Sequence, residues 1–106
     1  MIKELLLKTI LFLLLTFSFN LFAETLNEPR TVHRVFSEGE SSAGFYSVEG
    51  FPQCKYGIMY LSLATEAGKA HFSMLLMAKA SSNKVVRIDY AIDTNQYCKI
   101  SGLHIQ

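Results

Sequence analysis

Cys54 and Cys98 are the only thiols in the chain. Two cysteines can form a disulfide, or serve as a reactive pair. A reactive pair is marked by C-x-x-C spacing, or by a histidine or asparagine context that makes a nucleophile, and neither is present. A disulfide between strand ends in an oxidising compartment is the expected use. It would close a loop of about 45 residues, and chain entropy assigns such a loop about 4 kcal/mol before any strain.

Other chemistry-bearing types are scattered. His33, His71 and His104 lie far apart, without the H-x-x-x-H spacing of metal ligands. "AGKA" around Gly68 and Lys69 lacks the upstream glycine and the Ser/Thr of a phosphate loop. Ser41–Ser42 and Ser81–Ser82 lie outside any nucleophile-elbow sequence. Asp89 is two residues from Arg87, a spacing that suits an ion pair on one strand face better than a general acid. Met74 and Met77 suit core filling or an interface. No enzyme, cofactor or metal site is expected. What remains is recognition chemistry: aromatics beside small hydroxyls, which stack on sugars and bond at their edges. Tyr60 with Ser62 is one such pair, and Phe45 with Ser47 is another.

These residues need elements to position them. "TVHRVFSE" (31–38) reads as a strand with imperfect alternation. "GESSAG" (39–44) reads as a loop, and "FYSVEGF" (45–51) as a second strand bracketed by Gly44 and Gly50. "PQCKYG" (52–57) is a turn. In "IMYLSLA" (58–64), Met59, Leu61 and Leu63 alternate with Tyr60 and Ser62, which puts the first set on the core. From Glu66 to Ser81 there is no proline and no β-branched run, and Thr65 is a good N-cap. On that helix His71, Leu75 and Ala78 share a side, flanked by Phe72 and Met74, opposite Glu66, Lys69 and Ser73. Asn83 suits a left-handed terminator. "KVVRIDYAI" (84–92) alternates cleanly. "YCKISGLHI" (97–105) slips around Gly102, where a bulge fits.

The order is β-β-β-α-β-β. The fold class expected is mainly β with one helix. It is an OB-fold-like five-stranded barrel whose helix covers one end.

The N-terminus has another character. Lys3 and Lys8 precede an apolar run from Ile10 to Phe19, and "NLFA" ends in Leu21 and Ala23 at cleavage-site spacing. That is the layout of a signal peptide over residues 1–23, and the rival reading is an uncleaved anchor. No cysteine follows the run, so a lipoprotein of the usual kind is not expected. Residues 24–30, "ETLNEPR", read as a polar leader, and residues 31–106 as the domain. Losing Lys3, Lys8 and Glu4 leaves eight cations and eight carboxylates in a chain of about 83 residues. That length is one domain. Its balance offers no basic surface for nucleic acid and no stable membrane attachment after cleavage.

The run "CKYGIMYLSLATEAGKAHFSMLLMAKASSNKVVRIDY" resembles a group of small secreted bacterial proteins. They carry a Cys-containing turn, a "Y-x-x-L-x-T-x-x-G-K-A" approach and an "LL-x-A-K/A" helix. "F-S-x-L…A" from Phe72 to Ala78, followed by "V-R-I-x-Y" from Val86 to Tyr90, looks like the binding subunits of subtilase cytotoxin and pertussis-like toxins. That resemblance implies a secreted, disulfide-bonded OB-fold, assembled in rings, that recognises glycans. It covers about half of the exported part. This chain has a shorter helix-to-strand segment and fewer cysteines than those subunits, and no glycan-site motif maps onto it. The function expected is a periplasmic or secreted binding module for a glycan or other cell-surface ligand, with a homo-oligomer as one form. The alternative is a structural or protein-interaction domain without a small ligand.

Overall fold

The computed structural model describes residues 2–8 and 21–106. The expected apolar run from Ile10 to Phe19 lies outside the described residues. Residues 2–8 are helical. The remainder is mainly β, with six strands in one sheet. They are β1 (Phe22–Leu26), β2 (Arg30–Glu38), β3 (Ser42–Ser47), β4 (Met59–Ser62), β5 (Lys84–Ile92) and β6 (Cys98–Ile105). Helix α1 (Glu66–Ser81) lies between β4 and β5, and a 3-10 turn spans Lys55–Gly57. The sheet order is β1-β5-β2-β3-β4-β6, with a further pairing of β5 to β6. The expected count of five strands is therefore corrected to six.

The added strand is β1, where a polar leader is expected. It pairs antiparallel with β5, from Phe22 opposite Ile92 to Leu26 opposite Ile88. Its side chains are exposed except Leu26, so the backbone ladder holds it and hydropathy does not reveal it. The expected cleavage point after Ala23 falls inside this strand. Residues 88–92 of β5 also pair with β6, and Val85 pairs with both Arg30 and Ile105. A strand has two edges, so β1 and β2 must share the edge of β5 opposite β6. Pro29 sits between them and cannot donate to a ladder, which is where this long edge breaks.

The imperfect alternation of β2 has a physical cause. Its register against β3 shifts between Val32 and Arg34, an extra residue at His33. Such a bulge lets Val32 and Val35 both reach the core while Arg34 and Phe36 point away from it. The Lys79 ammonium of α1 donates to the His33 carbonyl at 2.7 Å, which secures the bulge from above. A second bulge falls where the sequence slips. Gly102 opposes Asp89 and Ile100 opposes Tyr90, leaving Ser101 unpaired.

The expected loop over 39–44 is shorter than read. Gly39 takes a left-handed φ of 64°, and β3 begins at Ser42, so Gly44 is a strand residue. The core joins Phe45, Met59, Leu61, Val85, Ile88, Cys98 and Leu103 from the sheet with Leu75 and Ala78 from α1. Phe45 and Phe51 meet edge to face inside it at 5.3 Å. Thr65 caps α1 by accepting the Gly68 N–H at 3.0 Å. The left-handed residue at its far end is Ser82 (φ 59°), one position before the expected Asn83.

Candidate functional site

The Cys54–Cys98 disulfide is present, with the two Cα atoms 5.5 Å apart. It joins the segment after β3 to the start of β6. The Lys55 N–H donates to the Gln96 carbonyl at 2.7 Å beside it. The two loops it clamps carry Tyr56 and Tyr97. The Asp93 carboxylate shapes the second loop by accepting the N–H groups of Asn95 and Tyr97.

The two pairs expected to stack on sugars lie on opposite faces of the sheet. Phe45 is 0% exposed and Ser47 7%. Both face the core, because a strand turns alternate side chains to opposite faces and the outward positions of β3 are Gly44 and Tyr46. Tyr60 does lie on the face away from the core, with Met59 and Leu61 buried on the other side. Ser62 shares that face, but its hydroxyl is engaged locally, accepting the Ala64 N–H at 3.2 Å. His71 is half-buried on α1, and its Nδ1 has no partner among the described residues.

Tyr60 is not alone. Phe36, Gly44 and Tyr60 form one row across β2, β3 and β4, and Lys99 continues it on β6. Gly44 leaves a gap in that row, and the Phe36 ring fills it. Phe36 then meets Tyr60 edge-on, with centroids 6.0 Å apart at 87°. Phe36 also reaches Tyr46 at 5.9 Å, and Tyr60 reaches Tyr97 at 5.7 Å. Tyr97 meets Tyr56 at 6.4 Å. The result is an unbroken strip, Tyr46–Phe36–Tyr60–Tyr97–Tyr56, over one face of the sheet.

A cation stands at each end. The Arg34 guanidinium lies 5.5 Å from the Tyr46 centroid. The Lys55 ammonium lies 4.9 Å from Tyr97 and 5.5 Å from Tyr56. Burial raises the Tyr60 pKa, and the neighbouring Tyr97, Tyr46, Glu38 and Tyr56 raise it further. Its hydroxyl therefore stays protonated and able to donate. No side-chain hydrogen bond to Tyr46, Tyr56, Tyr60 or Tyr97 exists among the described residues, so four phenol hydroxyls are free along one surface. Rings with a free polar edge are suited to a ligand that is apolar on one side and polar on the other.

The backbone in this region departs from the usual. Tyr56 has φ 59° and Gln96 φ 68°, left-handed conformations that a bulky residue seldom adopts. They lie on the two loops that the disulfide joins. Among the described residues no three His, Cys, Asp or Glu side chains cluster as metal ligands do, and no helix is long and apolar enough to cross a membrane.

Sequence reasoning reached Tyr60 and missed Phe36, Tyr46, Tyr56 and Tyr97. A usable signal was present. Tyr97 adjoins Cys98 and Tyr56 is two residues from Cys54, so the disulfide itself brings those rings together. No protein-family model, curated protein or solved structure matches the chain.

Proposed function

We propose that this chain is an exported binding module that lays a glycan across the aromatic strip. The observation that carries the reading is the continuity of five rings, with four free hydroxyls, on the face opposite the core. Sugar rings present apolar faces to such rings and hydroxyl edges to the phenols. The fold proposed to support the strip is a small OB-like barrel. In favour of it, β5 pairs with β2, β2 with β3, β3 with β4, β4 with β6, and β6 again with β5. On this reading β1 and β2 are two halves of one first strand, broken at Pro29.

Export is proposed on two grounds. A buried disulfide belongs to an oxidising compartment. The Lys-flanked apolar run ending at Ala23 has the form of a secretion signal. Cleavage there leaves Glu24–Leu26 on the β5 ladder and keeps every residue of the strip. Intact mass of the protein recovered from periplasm or medium tests this, and a mass retaining residues 1–23 defeats it.

The test of binding is a glycan array probed with the protein, followed by titration of any hit. Tyr60→Ala and Tyr97→Ala should each weaken binding about tenfold or more, which is about 1.4 kcal/mol. A hit that binds both variants unchanged would place the site elsewhere.

A second reading, a protein-interaction domain or homo-oligomer, is favoured by the outer side of α1. Leu76 is 47% exposed there and Met77 57%. Light scattering on the wild type and on Met77→Glu tests for a homo-oligomer built through α1. A complex that dissociates in the variant supports an interface on α1.

A further inference from the structure

We propose that the corner formed by Tyr56 and Tyr97 is a seat for a quaternary-ammonium group, and that Lys55 is its resident occupant, displaced when such a ligand binds. The seat lies at one end of the strip, and it stands whether or not the rest of the strip takes a glycan.

The geometry is that of a cation held by aromatic walls. The Lys55 ammonium and the centroids of Tyr97 and Tyr56 form a triangle with sides of 4.9, 5.5 and 6.4 Å. The two rings are inclined at 63°. Tyr60 backs Tyr97 at 5.7 Å and 64°. Ring faces carry negative potential, so a cation within about 6 Å of a centroid is attracted, and recognition of choline-like groups is a recurring use of such walls.

Lys55 is a poor match for what the walls offer. Its side chain forms no ion pair with a carboxylate among the described residues. Its ammonium is compact and strongly hydrated, and rings cannot replace the water it gives up. A quaternary ammonium has no N–H group and holds its water weakly. It loses less on leaving solvent and gains the same attraction, so exchange is favoured in its direction.

The walls do not depend on the lysine side chain. Tyr56 is fixed by the left-handed turn it makes with Gly57 (φ 67°). Tyr97 is fixed by its N–H bond to Asp93 and by the neighbouring disulfide. The Lys55 backbone stays bonded to Gln96 when its side chain swings away. Tyr56 is 68% exposed, which leaves an open path into the corner.

The experiment is a titration of the folded chain with tetramethylammonium chloride, against sodium chloride at equal ionic strength, followed by tyrosine ring NMR shifts. Choline is the second probe. Saturable shifts should centre on Tyr56, Tyr97 and Tyr60. Lys55→Met removes the competing charge and should bind about tenfold more tightly, because an occluded site loses apparent affinity in proportion to its occlusion. Lys55→Gln serves if the Met variant does not fold. Saturation seen only in the Lys55 variant would also overturn the proposal, because the lysine would then not be displaced. Tyr97→Ala should abolish the shifts at Tyr56. The proposal is overturned if neither wild type nor the Lys55 variant saturates. It is also overturned if the Lys55 variant binds no more tightly than wild type, or if a folded Tyr97→Ala binds equally well.

Discussion

Phe36 lies directly over Gly44 on the neighbouring strand. A Cβ built at Gly44 would stand 2.9 Å from Phe36 Cζ and 2.7 Å from the Met59 carbonyl oxygen. The missing side chain is what allows Phe36 to bridge from Tyr46 to Tyr60. Gly44→Ala must push the ring outward, shift β4, or both. Overpacking of this kind typically costs about 1–3 kcal/mol. Urea melts should show the loss, and the near-ultraviolet circular dichroism of the coupled tyrosines should change with it. A Gly44→Ala protein with wild-type stability and an unaltered aromatic spectrum would mean that the strip does not depend on this gap.

The disulfide links stability to the strip. Its cysteines are 44 residues apart, and removing a native disulfide from a small domain typically costs about 2–5 kcal/mol. Because the bond clamps the loops of Tyr56 and Tyr97, its loss should also loosen those rings while the β3–β4 pairing persists. Unfolded, unreduced protein should show no free thiol on labelling. In the double variant Cys54→Ser/Cys98→Ser, the melting temperature should fall, and the Tyr97 ring signal should broaden before the Tyr46 signal does. Equal broadening at both rings would show the loops to be held by other contacts.

The sheet also carries a pH dependence. The Thr25 hydroxyl of β1 donates to the Asp89 carboxylate at 2.9 Å, and this bond is the largest cause holding the Asp89 pKa below its ordinary value. Burial opposes it, and the Arg87 guanidinium, 3.2 Å away, lowers it further. A depressed carboxylate stabilises the fold fully above the unfolded pKa, which is about 3.9. That contribution disappears as the pH falls through the lower folded value. Wild-type protein should therefore lose stability between neutral pH and pH 3, and Thr25→Ala should lose less over the same interval. Urea midpoints at both pH values measure it. An identical acid loss in Thr25→Ala would assign the effect to other carboxylates.

Which features were legible follows from what each depends on. Periodicity located α1 and β5 to the residue or nearly so, because their side chains pack, and packing imposes spacing. It failed at β1, whose side chains apart from Leu26 are exposed and whose attachment is mainly the backbone ladder. It misplaced β3 by treating Gly44 as a loop boundary. Phe45 and Ser47 share one face of β3 wherever it starts, and residue type alone does not tell that this face is the buried one. Tyr60 was found because Met59 and Leu61 flank it with clear alternation. Tyr56 and Tyr97 lie in turns, where no period exists, and only the covalent link between the cysteines places them side by side.

Helix α1 gives the sharpest contest between local preference and packing. Leu75 is fully buried at its centre, so Leu75→Ala should cost about 2–5 kcal/mol. Ser73 is exposed, and Ser73→Ala should change little or help slightly through helix propensity. Gly68 decides between the two effects. On propensity alone, Gly68→Ala gains up to about 1 kcal/mol. In the fold, Gly68 is buried where the first turn of α1 crosses the end of β4, and an added Cβ would collide with the Ser62 carbonyl. That carbonyl is backbone, which cannot swing aside as a flexible side chain does. Relief would require the helix start to lift from the sheet, disturbing the Thr65 cap and loosening Leu75 beneath it. Gly68→Ala should therefore destabilise the domain, with a net cost of about 1–3 kcal/mol, as is usual for overpacking. Denaturant melts of the three variants, measured together, give the order: Leu75→Ala lowest, Gly68→Ala below wild type, Ser73→Ala at or above it. A Gly68→Ala protein more stable than wild type would show that α1 does not meet β4 at this point.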